Sequence, residues 1–313
     1  MEPWKQAEMA FENTMAGTYD FHYYSSPISK AHLREFFNLV RRYAVPDRFV
    51  LDVGGGTGAV TERLLRRGYR RIVTVDLSLA MLREAKKKMP ELTAIVCDGE
   101  HLPFKDDSFR TVICSSVLHH LPFPDRMLGE IKRALAPYGV VVAQEPNQSH
   151  CLSKPRFSQV SGVAMGLMHY LYRIEQYEPV SEPPIHEYHR AFTRDELVSL
   201  FSAQMSILDF RSRFAFSCLF TKLHSPMMSR MILAVDRLLR RNEGSVFHIV
   251  CSKSEGGHRT LLKNYLRFLE QLRQDPDQRM PGAFLVILPA LIVLGRFYEF
   301  YERVRQKLGK SVY

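Results

Sequence analysis

A glycine-rich loop after an apolar run is the first feature of this sequence that could do chemistry. Residues Leu51–Val53 lead into Gly54–Gly58 (GGGTG), and helix-like residues follow from Thr61. Glycines there permit backbone angles that are closed to other residues, and they let a ligand approach the main chain closely. The loop therefore predicts a binding site between a strand and a helix.

An acidic residue at the end of the next apolar run indicates that the ligand contains a nucleoside. Asp76 closes the run Arg71–Asp76 and precedes Leu77. A carboxylate at such a strand end can accept hydrogen bonds from both ribose hydroxyls of a nucleoside.

A dinucleotide site is the competing interpretation, since Gly54, Gly56 and Ala59 satisfy G-x-G-x-x-A and Asp76 lies at a suitable distance. The charge of Asp52, two residues before the first glycine, is unfavourable beside a pyrophosphate but suits the ammonium end of an amino acid. The glycines also recur as D-x-G-x-G-x-G, and the chain has no Tyr-x-x-x-Lys pair for hydride chemistry.

Alternating strands and helices position these residues. Short apolar runs predict strands over 49–53, 71–76, 92–98, 111–116 and 140–146, with helices over 61–67, 79–89 and 126–136 between them. A helix over 30–43 precedes the first strand, and two late strands at about 207–214 and 245–253 enclose a helix over 227–241. Thr193 and Glu196 have the spacing of a capping box. This rhythm predicts an α/β fold with a mostly parallel sheet covered on both faces, and ligands at the carboxyl ends of its strands.

Residues 49–147 resemble class I S-adenosylmethionine-dependent methyltransferases, in the type 11 group that includes the ubiquinone/menaquinone C-methyltransferases. The resemblance rests on LDVGGGTG, VDLSLAMLREAK, CDGEHLPFKDDSF, VICSSVLHHL and a strand that ends in EPN. It implies a Rossmann-like sheet of seven strands with the last antiparallel, and S-adenosylmethionine as cofactor. The sequence departs from the family at Arg110, where an acidic residue is usual, and this makes the start of the local strand less defined.

The resemblance also implies cofactor-binding roles, residue by residue. The methionine moiety would contact Asp52 and the loop glycines Gly54, Gly56 and Gly58. Asp76 would bind the ribose, Leu77 and Met81 would flank the adenine, and Asp98 with Gly99 would reach its amino group. Ser115 would line the methyl-donor face, and Tyr19 matches an N-terminal helix that closes over the cofactor.

Methyl transfer is an in-line displacement at a sulfonium, so positioning and desolvation supply much of the rate acceleration. A general base is needed only for a hydroxyl or an acidic carbon acceptor. The catalytic candidates are His119 and His120, which follow the fourth strand, and Glu145 at the end of the fifth; structural roles stay open for all three. His186 and His189 would face the acceptor. Their spacing could suit a metal, but with no third ligand nearby we predict none.

The acceptor is less defined than the cofactor. Apolar segments at 163–172 and 214–220 favour either core packing or a pocket for a small or lipid-like acceptor methylated at O, C or N. The position after the fourth strand lacks the [D/N/S]-P-P-[Y/F/W] motif of DNA amine methyltransferases, which argues against DNA. An RNA methyltransferase and a non-catalytic scaffold or regulatory subunit remain the alternatives.

Composition and the distribution of charge indicate the redox state of the cysteines, the domain organisation and the character of the C-terminal extension. The chain has 313 residues and a net charge of +10, and its five dispersed cysteines favour reduced thiols in a cytoplasmic protein. We predict N-terminal cofactor-capping helices over 1–48, a methyltransferase domain over 49–257 with a helical lid at about 147–190, and a helical extension over 258–313. The extension holds ten Lys or Arg against five Asp or Glu, and an apolar run at 283–295. That run is too short to span a bilayer. It suits core burial, a homodimer interface, or peripheral contact with the inner face of a membrane.

Overall fold

A seven-stranded sheet organises the part of the chain that the structure describes. The computed structural model describes residues 2–44, 48–147, 190–214, 217, 224–239 and 244–253. The strands are β1 (Val50–Val53), β2 (Ile72–Asp76), β3 (Thr93–Val96), β4 (Phe109–Ser115), β5 (Leu135–Pro146), β6 (Ser206–Arg213) and β7 (Val246–Ser252).

The order of the strands confirms the predicted fold class. Across the sheet they lie as β3-β2-β1-β4-β5-β7-β6. Neighbouring strands from β3 to β5 pair in parallel, whereas β7 is antiparallel to both β5 and β6. The order reverses between β1 and β4, and such a switch point opens a crevice at the carboxyl ends of the strands.

Eight α-helices accompany the sheet within the described residues. They are α1 (Pro3–Met15), α2 (Tyr19–Tyr24), α3 (Pro27–Tyr43), α4 (Ala59–Leu65), α5 (Leu79–Lys88), α6 (Pro124–Ala134), α7 (Arg194–Ser202) and α8 (Pro226–Leu239). A short 3₁₀ helix over Leu118–His120 follows β4.

Alternating residues of the central strands build two separate cores. In β4, Val112 and Cys114 face a core shared with α6 and α7, while Ile113 faces a second core shared with α3 and α4. In β5, Val141 and Val142 divide in the same way. Side chains of a strand point alternately to its two faces, so a run that is apolar throughout needs cover on both. The predicted helices on both faces are confirmed.

Local signals explain most element boundaries. The helix predicted over 30–43 begins earlier, at Pro27, because Ser26 caps it by accepting from the Ser29 N–H (3.0 Å). The capping box of Thr193 and Glu196 is confirmed at the start of α7.

The fourth and fifth strands are longer than predicted. β4 begins at Phe109 and includes Arg110, whose guanidinium donates to the Pro137 carbonyl. β5 begins at Leu135 and passes an irregularity at Tyr138, which has a φ of +59°. The helix predicted to reach residue 136 therefore ends at Ala134.

Several predicted features lie outside the described residues. These are His186 and His189, the lid apart from its end residues, the apolar segment 163–172, nearly all of 214–220, and the extension 258–313. Membrane contact and dimerisation through the extension thus stay predictions. Within the described ranges, no helix is both long and apolar enough to cross a membrane. Three cysteines there are free thiols: Cys97, Cys114 and Cys251.

Candidate functional site

A cavity of about 880 Å³, including its open mouth, lies at the carboxyl ends of β1, β2 and β4. Nine of the predicted site residues line it: Tyr19, Gly54, Gly56, Asp76, Leu77, Asp98, Gly99, Ser115 and His120. Five others do not line it, namely Asp52, Gly58, Met81, His119 and Glu145.

The glycine loop needs glycine at two positions for different reasons. Gly54 has a φ of +65°, and a Cβ there would overlap the Val117 side chain. Gly56 has a φ of +53°, but a Cβ there would meet nothing within 4 Å. Because Gly56 lines the cavity, its missing side chain leaves room for a ligand against the main chain.

The amides of this loop are already engaged by the second strand. Gly54 and Gly55 N–H groups donate to the Val75 carbonyl (2.8 and 3.1 Å), and Gly56 N–H donates to Asp76 Oδ2 (2.9 Å). A pyrophosphate site would need such amides free to point at the phosphate oxygens. The loop geometry therefore weighs against the dinucleotide alternative.

Asp76 lies between the loop and the helix α5. Its Oδ1 accepts from the Ser78 N–H (2.8 Å), while Oδ2 accepts from Gly56. Burial raises the pKa of Asp76, and the two backbone hydrogen bonds oppose that rise. Each carboxylate oxygen keeps a second lone pair, so the group can still accept two ribose hydroxyls, as the resemblance implies.

Asp52 lies beneath the loop rather than in the cavity. It is 2% exposed, and its Oδ2 accepts from the Thr61 hydroxyl (2.6 Å). Burial, partly offset by that hydrogen bond, raises its pKa to about 7. The carboxylate thus bonds to α4 and does not line the cavity, and its predicted contact with a methionine ammonium stays a prediction.

The adenine end of the predicted site is closed by a lysine that the sequence analysis did not single out. Lys5 of α1 donates to Asp98 Oδ2 (2.6 Å) and to the carboxylate of Glu100, and it is 5% exposed. Burial would raise the Asp98 pKa, but hydrogen bonds from Lys5 and the Glu100 N–H outweigh it and hold the pKa low. Asp98 is thus a fixed anion at the cavity wall.

Glu145 holds the turn after β4 from below. It is fully buried, and its Oε1 accepts from the N–H groups of Val117 (3.1 Å) and Leu118 (2.9 Å). Its Oε2 lies 2.8 Å from Nδ1 of His119. These contacts give Glu145 and His119 a positioning role, since Val117 in turn packs against Gly54.

His120 and two glutamates of α1 form a polar cluster inside the cavity. His120 Nδ1 lies 2.8 Å from Glu8 Oε1, and Glu12 is one helical turn further along. The ligand atoms of the three side chains lie within 4.8 Å of one another. Such a set could also hold a metal ion, so the predicted absence of a metal stays a prediction.

Burial and the nearby carboxylates of Asp76 and Glu8 raise the pKa of Glu12 to about 8. These α1 residues were not among the predicted site residues, although Trp4, Glu8 and Glu12 recur every four residues and all line the cavity. That spacing is the signal that places them on one helix face.

Leu77 and Met81, the two residues predicted to flank the adenine, lie in different surroundings in the structure. Leu77 lines the cavity, but Met81 is buried against Met15 and Ala16 of the N-terminal segment. Met127 of α6 lies at the cavity wall beside Gly99, where a Cβ would meet its Cε at 3.2 Å. The apolar wall next to Asp98 therefore includes a residue 28 positions beyond the predicted segment.

The residues present fit an adenosyl group joined to an amino acid. A fixed carboxylate at Asp98, a ribose acceptor at Asp76 and open space at Gly56 lie around one cavity. Asp76 ends β2, and Asp98 lies just after the end of β3, the neighbouring parallel strand.

Comparison with known proteins agrees with this geometry. Residues 51–143 match the family model described as a methyltransferase domain. A demethylmenaquinone methyltransferase from Renibacterium salmoninarum is 38% identical over 102 residues, which cover 33% of this chain and 43% of the relative. A malonyl-[acyl-carrier protein] O-methyltransferase from Geobacter sulfurreducens is 35% identical over 129 residues, covering 40% of this chain and 48% of the relative.

A third relative, a ubiquinone/menaquinone biosynthesis C-methyltransferase from Bordetella avium, is 31% identical and covers 35% of this chain and 45% of its own length. The chain thus spans somewhat under half of the curated relatives it matches. The matched part holds the glycine loop, Asp76, Asp98 and β4, which are the elements around the cavity. Residues 51–143 are therefore similar to a methyltransferase domain, and the strand order of the sheet is that of a Rossmann-like α/β fold.

Proposed function

We propose that this protein transfers a methyl group from S-adenosylmethionine to a small or lipophilic acceptor. The observation that carries the proposal is the convergence of Gly56, Asp76 and Asp98 on one cavity at the switch point of the sheet. When bound there, the cofactor would supply a methyl group on a sulfonium. The protein's own residues would bind it, orient it and exclude water.

Each part of the cavity has a separate task in this proposal. Asp76 accepts the ribose hydroxyls, and the glycine loop leaves room for the chain that bears the sulfonium. Glu145 and His119 hold the turn after β4, so that Ser115 and Val117 stay against the cofactor. His120 is the cavity-lining candidate for a general base when the acceptor is a hydroxyl or an acidic carbon.

We infer the acceptor class from the cavity and from the relatives together. Trp4, Met9, Leu121 and Met127 give the cavity apolar wall beside its charged groups. The relatives are named for a quinone precursor and for a malonyl group on a carrier protein. Incubation with labelled cofactor and each of these two acceptors, followed by mass spectrometry, tests both O- and C-methylation. Cofactor binding without transfer to any acceptor would favour the scaffold alternative.

Replacing Asp76 with Ala tests the cofactor assignment. Hydrogen bonds to a charged group are worth about 1.5–3 kcal/mol each, so we expect S-adenosylmethionine affinity to fall roughly tenfold or more. Asp76→Asn, which keeps the shape, should lose less. Calorimetry measures both, with Asp195→Ala as control because Asp195 is exposed and does not line the cavity. Equal affinity in wild type and Asp76→Ala would refute the ribose assignment.

A further inference from the structure

The α1 helix brings two carboxylates into the cavity where the sequence motifs predict neither. Glu8 and Glu12 lie one turn apart, so they share a helix face, and both line the cavity. Glu8 contacts His120, in the 3₁₀ helix after β4, and Glu12 interacts with Asp76, at the end of β2. The pair therefore spans the switch point, beside the glycine loop.

The charges that line this cavity are unbalanced. Its lining contains the carboxylates of Glu8, Glu12, Asp76 and Asp98, and the Lys5 ammonium is already shared by Asp98 and Glu100. Even a protonated His120 would balance only one of Glu8 and Glu12, and the repulsion that remains favours a proton on Glu12 when no cation is bound. A positively charged ligand group next to them would relieve this repulsion, because like charges at short range are costly in a partly buried site.

Asp52 is not placed to meet a positively charged ligand group in the cavity. Its carboxylate accepts from Thr61 beneath the loop and does not line the cavity. The acidic residue of the glycine motif is thus turned into the protein, and the carboxylates that meet a ligand near the loop come from α1 and from Asp76.

We propose that Glu8 and Glu12, with His120, form a cation-recognition site that distinguishes the sulfonium of the methyl donor from the neutral thioether of the product. This rests on the proposed function. After methyl transfer the sulfur holds its electron pair and no charge, so the attraction to the two carboxylates ends at that step. The site then favours product release and binding of a new donor.

Proton linkage follows from the same contacts. Without a ligand, burial and the neighbouring carboxylates hold a proton on Glu12 at neutral pH, since its pKa is raised to about 8. A cation beside Glu12 lowers that pKa, so donor binding releases a proton and donor affinity rises as the pH increases towards 8. Binding of the neutral thioether releases fewer protons.

The test compares S-adenosylmethionine with S-adenosylhomocysteine, which keeps the ammonium and loses the sulfonium. Calorimetry of the full chain in two buffers of different ionisation enthalpy gives affinities and proton counts. We expect Glu12→Gln and Glu8→Gln to lower the ratio of donor to product affinity by roughly tenfold, and Glu12→Gln to abolish proton release. Glu91→Gln is the matched control, because Glu91 is exposed and lies outside the cavity.

Each outcome decides between the interpretations. Product affinity that stays near wild type shows that the variants are folded. If both affinities fall together, the carboxylates bind the ammonium and the proposal is overturned. If the ratio is unchanged while Mn²⁺ binds the wild-type protein but not the variants, the cluster is a metal site and the proposal is likewise overturned. Failure of the wild type to bind either ligand would instead refute the proposed function.

Discussion

At the scale of single residues, the turn after β4 depends on one buried carboxylate. Glu145 is fully buried and contacts two backbone N–H groups and the His119 ring. A buried side chain with three such partners is held in place by them, and removing it would take an acceptor from the two backbone N–H groups. The residue that sequence analysis offered as catalytic therefore has contacts typical of a positioning residue.

Substitution of Glu145 separates these two roles. Glu145→Ala should lower the free energy of unfolding by about 1–3 kcal/mol, because buried donors lose their acceptor. Glu145→Gln keeps an oxygen for the Val117 and Leu118 N–H groups and should lose less. Urea unfolding measures stability, and calorimetry measures cofactor affinity. A Glu145→Gln protein with wild-type stability and cofactor affinity but no methyl transfer would contradict the positioning role.

At the scale of elements, α1 is held over the cavity by buried charge near Lys5 and by apolar packing of Met15 against Met81 at its other end. Lys5 is buried between Asp98 and Glu100, and the Ser78 hydroxyl donates to Asn13 Oδ1 (2.7 Å) near the other end of the helix. Replacing one partner of a buried ion pair leaves an uncompensated charge. The docking of α1 at this end, and with it the position of Glu8 and Glu12, therefore depends on Lys5.

Lys5→Met should release α1 without unfolding the sheet. The α1 amides should exchange hydrogen roughly tenfold faster or more, equivalent to about 1.4 kcal/mol of lost docking, while those of β4 and β5 stay protected. S-adenosylmethionine affinity should fall in the same variant, because α1 lines the cavity. Lys87→Met is the control, since Lys87 is exposed and pairs with Glu84 on the surface of α5. Unchanged α1 exchange in Lys5→Met would show that other contacts hold the helix.

At the scale of the whole molecule, the sequence predicts the sheet better than the cavity. Runs such as residues 140–143 are apolar throughout, and a parallel sheet buried on both faces requires that pattern. The loop, Asp76 and Asp98 were found because they are adjacent to those strands in the sequence. Lys5 and Asp98, in contrast, are 93 residues apart, and only tertiary packing brings them together. Neither could the sequence indicate that Asp52 turns inward, because that depends on Thr61 beneath it.

The same long-range packing creates an acid-sensitive region where α3, α8 and the sheet meet. His32 of α3 lies 2.7 Å from the Ser217 hydroxyl, which donates to Asp236 of α8 (2.5 Å). His248 of β7 is buried, and its Nε2 has no hydrogen-bond partner within the described residues. Burial lowers the pKa of His32 to about 4, against the pull of Asp236, and that of His248 to about 3, with help from Arg213, His32 and Arg211.

Acid should therefore destabilise the whole molecule through these histidines. In the unfolded chain the pKa of a histidine is about 6.5, so below that pH the unfolded chain binds more protons than the folded protein. The free energy of unfolding is therefore unaffected by these histidines above about pH 6.5 and falls as the pH drops towards 4 and 3. At pH 5 each should weaken folding by roughly 2 kcal/mol relative to pH 7. Urea unfolding at both pH values should show a shallower loss for His248→Leu, whose side chain cannot be protonated. His224→Leu, at an exposed position, should keep the wild-type dependence. An equally steep loss in His248→Leu would mean that the buried histidine of β7 is not what makes the fold acid-sensitive.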